Sequence, residues 1–132
     1  MTRRQLREHC FKVLFCTDFY PASEVDEQIM AYFEQEEVKL NEEEAAELKD
    51  RADAMLARIP EIDEILASVT EGWSLKRVGR VELSLLRVAC YEIKFDQAVP
   101  DKVAINEAVE LARKYSGDEA PGFVNGVLAK LV

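Results

Sequence analysis

The sequence predicts an all-α fold of about six or seven helices in two packed helical subdomains. Apolar residues recur every three or four positions over most of the chain, which places them on one face of a helix. No segment alternates apolar and polar residues with the period of two that a half-buried strand requires. The 132 residues suit one domain whose core needs no disulfides. We expect an N-terminal subdomain over about 1–72 and a C-terminal one over about 73–132.

The first predicted helix runs from about Thr2 to Phe19. Pro21 ends it, because proline disfavours the α conformation in the residue before it. Ser23 and Asp26 resemble an N-cap box for a short second helix, with aspartate in place of the usual glutamate. This part of the chain therefore predicts two helices joined by a proline-containing turn.

Asn41 is the expected N-cap of a third helix, and the three glutamates after it favour the positive end of a helix dipole. Helical spacing continues to Pro60, which suits the first position of a fourth helix. That helix should reach a break at Gly72, and a connecting segment with room for one helical turn follows from Trp73.

The last part of the chain predicts three further helices. The first spans Arg80 to Phe95 and carries two apolar rows, so we expect it to be buried on most sides. Asp101 is expected to cap the next helix, which ends at Ser116-Gly117, and Pro121 can begin the last one. The middle helix carries two overlapping rows: Ile105, Ala108, Val109 and Ala112, and Ala104, Ala108, Leu111 and Tyr115.

Charge is distributed unevenly along the chain. The formal net charge is −9, which by itself argues against a nucleic-acid binder, since such domains are usually basic. Four basic residues and one acidic residue nevertheless give the segment from Met1 to Lys12 a charge of +3. Twelve acids and two lysines give the segment from Asp18 to Asp50 a charge of −10. A short basic start therefore precedes an acidic second quarter.

Several classes of protein are excluded by what the sequence lacks. The N-terminus has no apolar stretch of a secretory signal, and no run of about 18 apolar residues predicts a membrane span. The three cysteines are scattered, which favours reduced thiols in a cytoplasmic protein. His9 is the only histidine and is most simply interpreted as a surface or boundary residue. With no phosphate-binding glycine motif and no metal-ligand cluster, we expect neither catalysis nor a cofactor.

One arrangement has a physical mechanism for binding RNA. Arg3, Arg4 and Arg7 share an arc at the start of the first helix, where each guanidinium can meet a phosphate. The helix N-terminus adds free N–H groups, and Phe11 or Phe15 can stack an unpaired base. The alternative is that the terminal arginines only keep the protein soluble.

Two other features leave alternatives open. The acidic second quarter is either a solvated surface or a docking site for a basic protein partner. Glu82 and Arg87 stand on an otherwise apolar helix. They either pair with other side chains inside the fold or face outward as part of a partner site.

The chain resembles the NusB family of transcription antitermination factors over nearly its whole length. The match is weaker only between about Pro21 and Pro60. The resemblance rests on Arg7-Glu8, Val13-Leu14-Phe15, Gly72-Trp73, the segments from Glu82 to Glu92 and from Pro100 to Arg113, and Phe123-Val-Asn-Gly-Val-Leu128.

The resemblance implies a cytoplasmic, non-catalytic bacterial protein of two helical subdomains. It implies pairing with NusE, a small-subunit ribosomal protein, and binding to the single-stranded boxA element in leader RNA of ribosomal RNA operons. The complex then acts on RNA polymerase so that terminators are read through. Some family members self-associate through the arginine helix, so a homodimer stays open.

Site residues follow from the resemblance position by position. The RNA-facing set that it implies is Arg3, Arg4, Arg7, Glu119 and Phe123, to which the aromatic and basic residues of the first helix add Phe11 and Lys12. The NusE-facing set is Phe15, Glu82 and Arg87. Because the arginine cluster is short and the chain acidic, we expect weak RNA binding alone, with a basic NusE supplying part of the field. The alternative is a NusE-binding adaptor with little direct RNA binding. A related helical domain precedes certain RNA cytosine methyltransferases, but 132 residues leave no room for their cofactor-binding domain.

Overall fold

The computed structural model describes residues 1–35, 38–70 and 74–132. Seven α-helices and no strand occur in these ranges, which confirms the predicted all-α class. They are α1 (Arg3–Thr17), α2 (Val25–Phe33), α3 (Glu42–Ala57), α4 (Ile59–Val69), α5 (Arg80–Phe95), α6 (Asp101–Tyr115) and α7 (Ala120–Ala129). Over the same residues, no helix has both the length and the apolar character needed to cross a bilayer. The expected break at Gly72, the Trp73 part of the resemblance, and Glu36 and Glu37 of the acidic run lie outside the described residues.

The chain divides into two compact units, Met1–Leu56 and Ala57–Val132. The division falls before α4 rather than near residue 72, because α4 packs against α5. Two polar contacts reinforce that packing. Asp63 pairs with Arg87, and the Arg58 guanidinium lies 4.6 Å from the centre of the Phe95 ring.

In unit 1, the described capping interactions begin α1 and α3. The Thr2 hydroxyl accepts the Gln5 amide at 3.1 Å, and the Gln5 side chain accepts the Thr2 amide at 2.8 Å. Asn41 and Glu44 form the same reciprocal pair at the start of α3, at 2.8 and 3.1 Å, so the predicted Asn41 cap is confirmed. Each pair satisfies backbone donors that the first turn of a helix leaves unpaired.

Two predicted caps are wrong. Ser23 lies inside a 3₁₀ turn, Ala22–Glu24, and α2 begins after it at Val25 with no side-chain cap. Asp101 is the first residue of α6, and the residue before the helix is Pro100. Pro100 has extended backbone, and its carbonyl accepts the Val103 and Ala104 amides, so it occupies the position that the aspartate was expected to take. Asp101 instead places its carboxylate in the positive first turn.

The core of unit 2 is built around α5 and α6. Every residue from Leu83 to Cys90 is buried, as the two apolar rows of α5 predicted. Helix α6 packs against α5 and α7. Neither predicted row faces the core as a whole, since Ile105 and Val109 of the first row and Tyr115 of the second are only partly buried. The buried residues of α6 are Ala104, Ala108, Leu111 and Ala112. Alanines at the contact allow neighbouring helices to approach closely.

Candidate nucleic-acid interface

The basic start of the chain lies on the first turns of α1 in unit 1. Arg3 and Arg4 are exposed, whereas Arg7 is only 8% exposed and Lys12 is partly buried. An exposed guanidinium can turn to meet a phosphate with two parallel hydrogen bonds. Arg3 and Arg4 are therefore best placed for direct contact with a phosphate, and the buried Arg7 contributes mainly positive charge.

An acidic turn lies beside this basic one. The terminal ammonium group of Met1 contacts Glu44 Oε2 at 2.9 Å, which brings the start of α3 next to the start of α1. The hydrogen bond between the two groups lowers the pKa of Glu44 and raises the pKa of the terminal amine. Glu42 and Glu43 in the same turn are exposed. Their negative charge opposes that of the arginines at short range, because in physiological salt exposed charges interact over about 8 Å before they are screened.

The aromatic residues of α1 differ in exposure. Phe11 is 3% exposed, so its ring offers no face to a base in this structure. Phe15 is partly exposed, and its ring lies 6.4 Å from that of Phe11 and 5.3 Å from that of Phe19. Of the two rings predicted to stack a base, only Phe15 is therefore accessible, and Phe11 is a packing residue.

Phe15 also lines a groove of about 260 Å³ in unit 1. The other lining residues are Cys16, Phe19, Tyr20, Gln28, Ala31, Tyr32 and Gln35. Phe19 and Tyr20 are 55% and 43% exposed, which is high for rings of this size. Phe15 was predicted as a site residue, but the exposed rings of Phe19 and Tyr20 beside it were not. Phe15 and Phe19 nevertheless share the i, i+4 spacing that places two side chains on one helix face.

His9 on α1 contacts Tyr32 on α2, which also lines this groove. Its Nδ1 lies 2.6 Å from the Tyr32 hydroxyl, and the two rings meet edge to face. Burial lowers the pKa of His9, Lys12 lowers it further, and Glu8 and Glu44 oppose the shift. His9 is thus the partly buried boundary residue that the sequence indicated, with a structural partner.

The second group of predicted residues meets in unit 2. Glu82, Glu119 and Phe123 all line one cavity of about 340 Å³. The rest of its wall is Arg77, Val78, Gly79 and Ala120. The Glu82 carboxylate accepts a hydrogen bond from the Ser116 hydroxyl at the end of α6. A residue predicted for the partner and two predicted for RNA therefore share one cavity.

Arg87 is held inside unit 2. Its Nε donates to Asp63 Oδ1 at 2.9 Å and its Nη2 donates to Asp63 Oδ2 at 2.8 Å. Its side chain is 10% exposed, against 29% for that of Asp63. Glu82 and Arg87 both pair with side chains of unit 2, and Glu82, which is only partly buried, also lines the cavity. Asp63 was missed, because a single acid on an amphipathic helix gives no sequence signal.

The three cysteines are all thiols, and two of them lie in the core. Cys10 and Cys90 are buried, and burial raises the pKa of the Cys90 thiol to about 11, which keeps it protonated. Within residues 1–35, 38–70 and 74–132, no three histidine, cysteine or acidic side chains are grouped to hold a metal ion.

The NusB family model matches residues 4–132. The chain belongs to the NusB family. The transcription antitermination protein NusB of Lachnoclostridium phytofermentans is 48% identical over 132 residues, which cover 100% of this chain and 99% of that protein. Members of the family act in transcription antitermination, so this chain is an antitermination factor and not an enzyme.

Solved NusB structures share the fold. T. maritima NusB superimposes with a TM-score of 0.86 at 27% identity, covering 99% of this chain and 90% of that one. A crystal structure of the antitermination factors NusB and NusE with double-stranded RNA gives a TM-score of 0.82 at 29% identity, covering 99% and 97%.

Of the NusB motifs quoted from the sequence, the three longest lie on the helices α5, α6 and α7 of unit 2. The segment from Pro100 to Arg113 forms the start and body of α6, and Phe123-Val-Asn-Gly lies in α7. The alanines of the first motif face the core, whereas Asn106 is exposed. This motif is therefore mainly a packing element that supports the turn between α6 and α7.

Proposed function

We propose that this NusB-family protein pairs with NusE and binds boxA-type single-stranded leader RNA of ribosomal RNA operons. It does so in the cytoplasm, as part of an RNA polymerase antitermination complex. The observation that carries the proposal is the fold match, over 99% of the chain, to a NusB solved with NusE and RNA. That structure is described with double-stranded RNA, so the strandedness that this chain prefers is part of the test.

The exposed first turn of α1 supports the RNA contact. Arg3 and Arg4 would bind phosphates, with Arg7 and Lys12 adding positive charge from partly or fully buried positions. Phe15 would offer a ring to the partner or to a base, and Glu119 and Phe123 would form the second contact from the cavity of unit 2. The buried ring of Phe11 packs beside that of Phe15.

Replacing Arg3 and Arg4 together by alanine tests the RNA contact. We expect weaker binding, and a plot of log K against log salt that is shallower by about 0.7 per lost single-strand contact. The measurement is a salt titration of boxA RNA binding, single-stranded and duplex, in the presence of NusE. Arg113→Ala is the matched control, because Arg113 is an exposed arginine paired with Glu110 on α6. Unchanged affinity and slope in the double variant would show that α1 is not the RNA site.

A second function is favoured by the acidic turn beside the arginines. A NusE-binding adaptor with little RNA contact would suit a chain of net charge −9 whose basic turn is opposed by Glu42, Glu43 and Glu44. The two functions separate by measuring RNA affinity with and without NusE. RNA binding by the heterodimer supports the first proposal, and its absence, with NusE still bound, supports the adaptor.

A further inference from the structure

We infer that Ser116 is a positioning residue through which Glu82, predicted to face NusE, sets the geometry of the turn between α6 and α7, which is predicted to face RNA; the inference rests on the function proposed above. Ser116 directly follows α6 in extended backbone, at the point where the chain leaves the helix. Its hydroxyl donates to Glu82 Oε1 in the first turn of α5. One side-chain hydrogen bond thus ties the start of α5 to the turn that leads into α7.

The turn held by this bond carries the predicted RNA contacts. Only residues 117–119 separate Ser116 from α7, whose first turn contains Phe123 near Glu119. Glu82 forms another part of the wall of the same cavity. A displacement of the Glu82 carboxylate therefore acts directly on the turn, through Ser116, without passing through the buried core.

Charge gives the direction of the effect. The cavity contains the carboxylates of Glu82 and Glu119 and the guanidinium of Arg77, which leaves an excess of negative charge for a basic partner. A partner cation that pairs with Glu82 holds the carboxylate in place and so restricts the turn before RNA arrives. RNA then meets a turn that is already ordered, and the two ligands raise each other's affinity by the same factor.

Gly79 offers a way to break the bond while keeping both of its residues. A Cβ atom at this position would overlap Glu82 Oε2, and the nearest atoms belong to the flexible end of that side chain. The backbone of Gly79 has φ −58° and ψ 147°, which alanine adopts without strain. Gly79→Ala should therefore push the carboxylate away from Ser116. A Cβ atom at Gly117 in the turn itself would meet nothing within 4 Å, so Gly117→Ala is the matched control.

The experiment measures the factor by which NusE raises boxA RNA affinity, together with NusE affinity and the melting temperature. Ser116→Ala and Gly79→Ala should each lower this coupling factor by about fivefold or more. Ser116→Thr, which keeps the hydroxyl, should restore it, and Gly117→Ala should leave it unchanged. A general loss of stability would not explain a coupling factor that falls in both Ser116→Ala and Gly79→Ala but is retained in Ser116→Thr.

An unchanged coupling factor in Ser116→Ala would overturn the inference, as would equal losses in the alanine and threonine variants. Neither result would affect the proposed function, since the wild-type heterodimer would still bind RNA. If the wild-type heterodimer binds no RNA, both the inference and the proposed function fail. The Arg3 and Arg4 double variant tests the proposed RNA contact by itself, because it should weaken RNA binding while leaving the Glu82–Ser116 bond intact.

Discussion

The polar contacts around the predicted site residues differ between the two units of the chain. In unit 1 they lie at the surface, where the exposed arginines of α1 stand beside the acidic first turn of α3. In unit 2 they are partly or fully buried, with Arg87 on Asp63 and Ser116 on Glu82. Surface charges are mobile and screened by salt, whereas buried pairs hold one geometry. Unit 1 therefore presents charges that can adjust to a ligand, whereas unit 2 holds its polar side chains in fixed positions.

The largest expected effect comes from breaking the buried pair of unit 2. Arg87→Ala leaves the partly buried Asp63 carboxylate without its bidentate partner, and should lower the free energy of unfolding by about 3 kcal/mol. Urea denaturation followed by circular dichroism measures this loss. Arg113→Ala breaks an exposed pair with Glu110 and should cost less than about 0.5 kcal/mol. Similar losses in the two variants would mean that burial does not distinguish these contacts.

A smaller effect is expected from the acidic turn of unit 1. Glu42→Gln with Glu43→Gln removes two exposed negative charges next to the arginines and should raise RNA affinity about threefold at low salt, less at high salt. Fluorescence anisotropy with labelled boxA RNA measures the change. The control pair Glu24→Gln with Glu27→Gln removes the same charge from the start of α2, which follows the opposite end of α1. An equal gain in both pairs would attribute the effect to net charge alone.

The smallest effect concerns pH and the single histidine. Because burial lowers the pKa of His9 in the folded protein, the unfolded chain binds the proton more readily. The stability that His9 contributes is therefore present above about pH 6.5 and is lost as the pH falls through its folded pKa. Melting temperatures measured from pH 7.5 to 5.5 should fall less steeply for His9→Gln than for the wild type. Parallel curves for the two proteins would assign the dependence to other groups.

Fold class and helix existence were predictable because they depend on local periodicity. The spacing of apolar residues marks α5 and α6, and Asn41 with Glu44 marks the start of α3. Errors occurred where two local signals competed. Pro100 took the cap position expected for Asp101, and a 3₁₀ turn took up Ser23. The Thr2–Gln5 capping box was missed although its sequence spacing matches the rule.

The sequence predicts site residues by type and position but not their arrangement in the fold. Resemblance placed Arg3, Phe15 and Phe123 at sites of binding, and charge counting located the basic start. Neither the resemblance nor the charge distribution shows that Phe11 is buried and Phe15 partly exposed, since both lie on the same helix four residues apart. Exposure depends on which neighbours pack against each side of the helix.

The sequence by itself determined the family, the all-α class, the basic start and the acidic quarter, because each is a property of local order and composition. Only the tertiary structure decided that Arg87 pairs with Asp63 and Glu82 with Ser116, since these partners lie far apart along the chain. It also decided that α3 brings its acids beside the arginines of α1. Long-range pairing depends on how whole helices pack, and no local pattern contains that information.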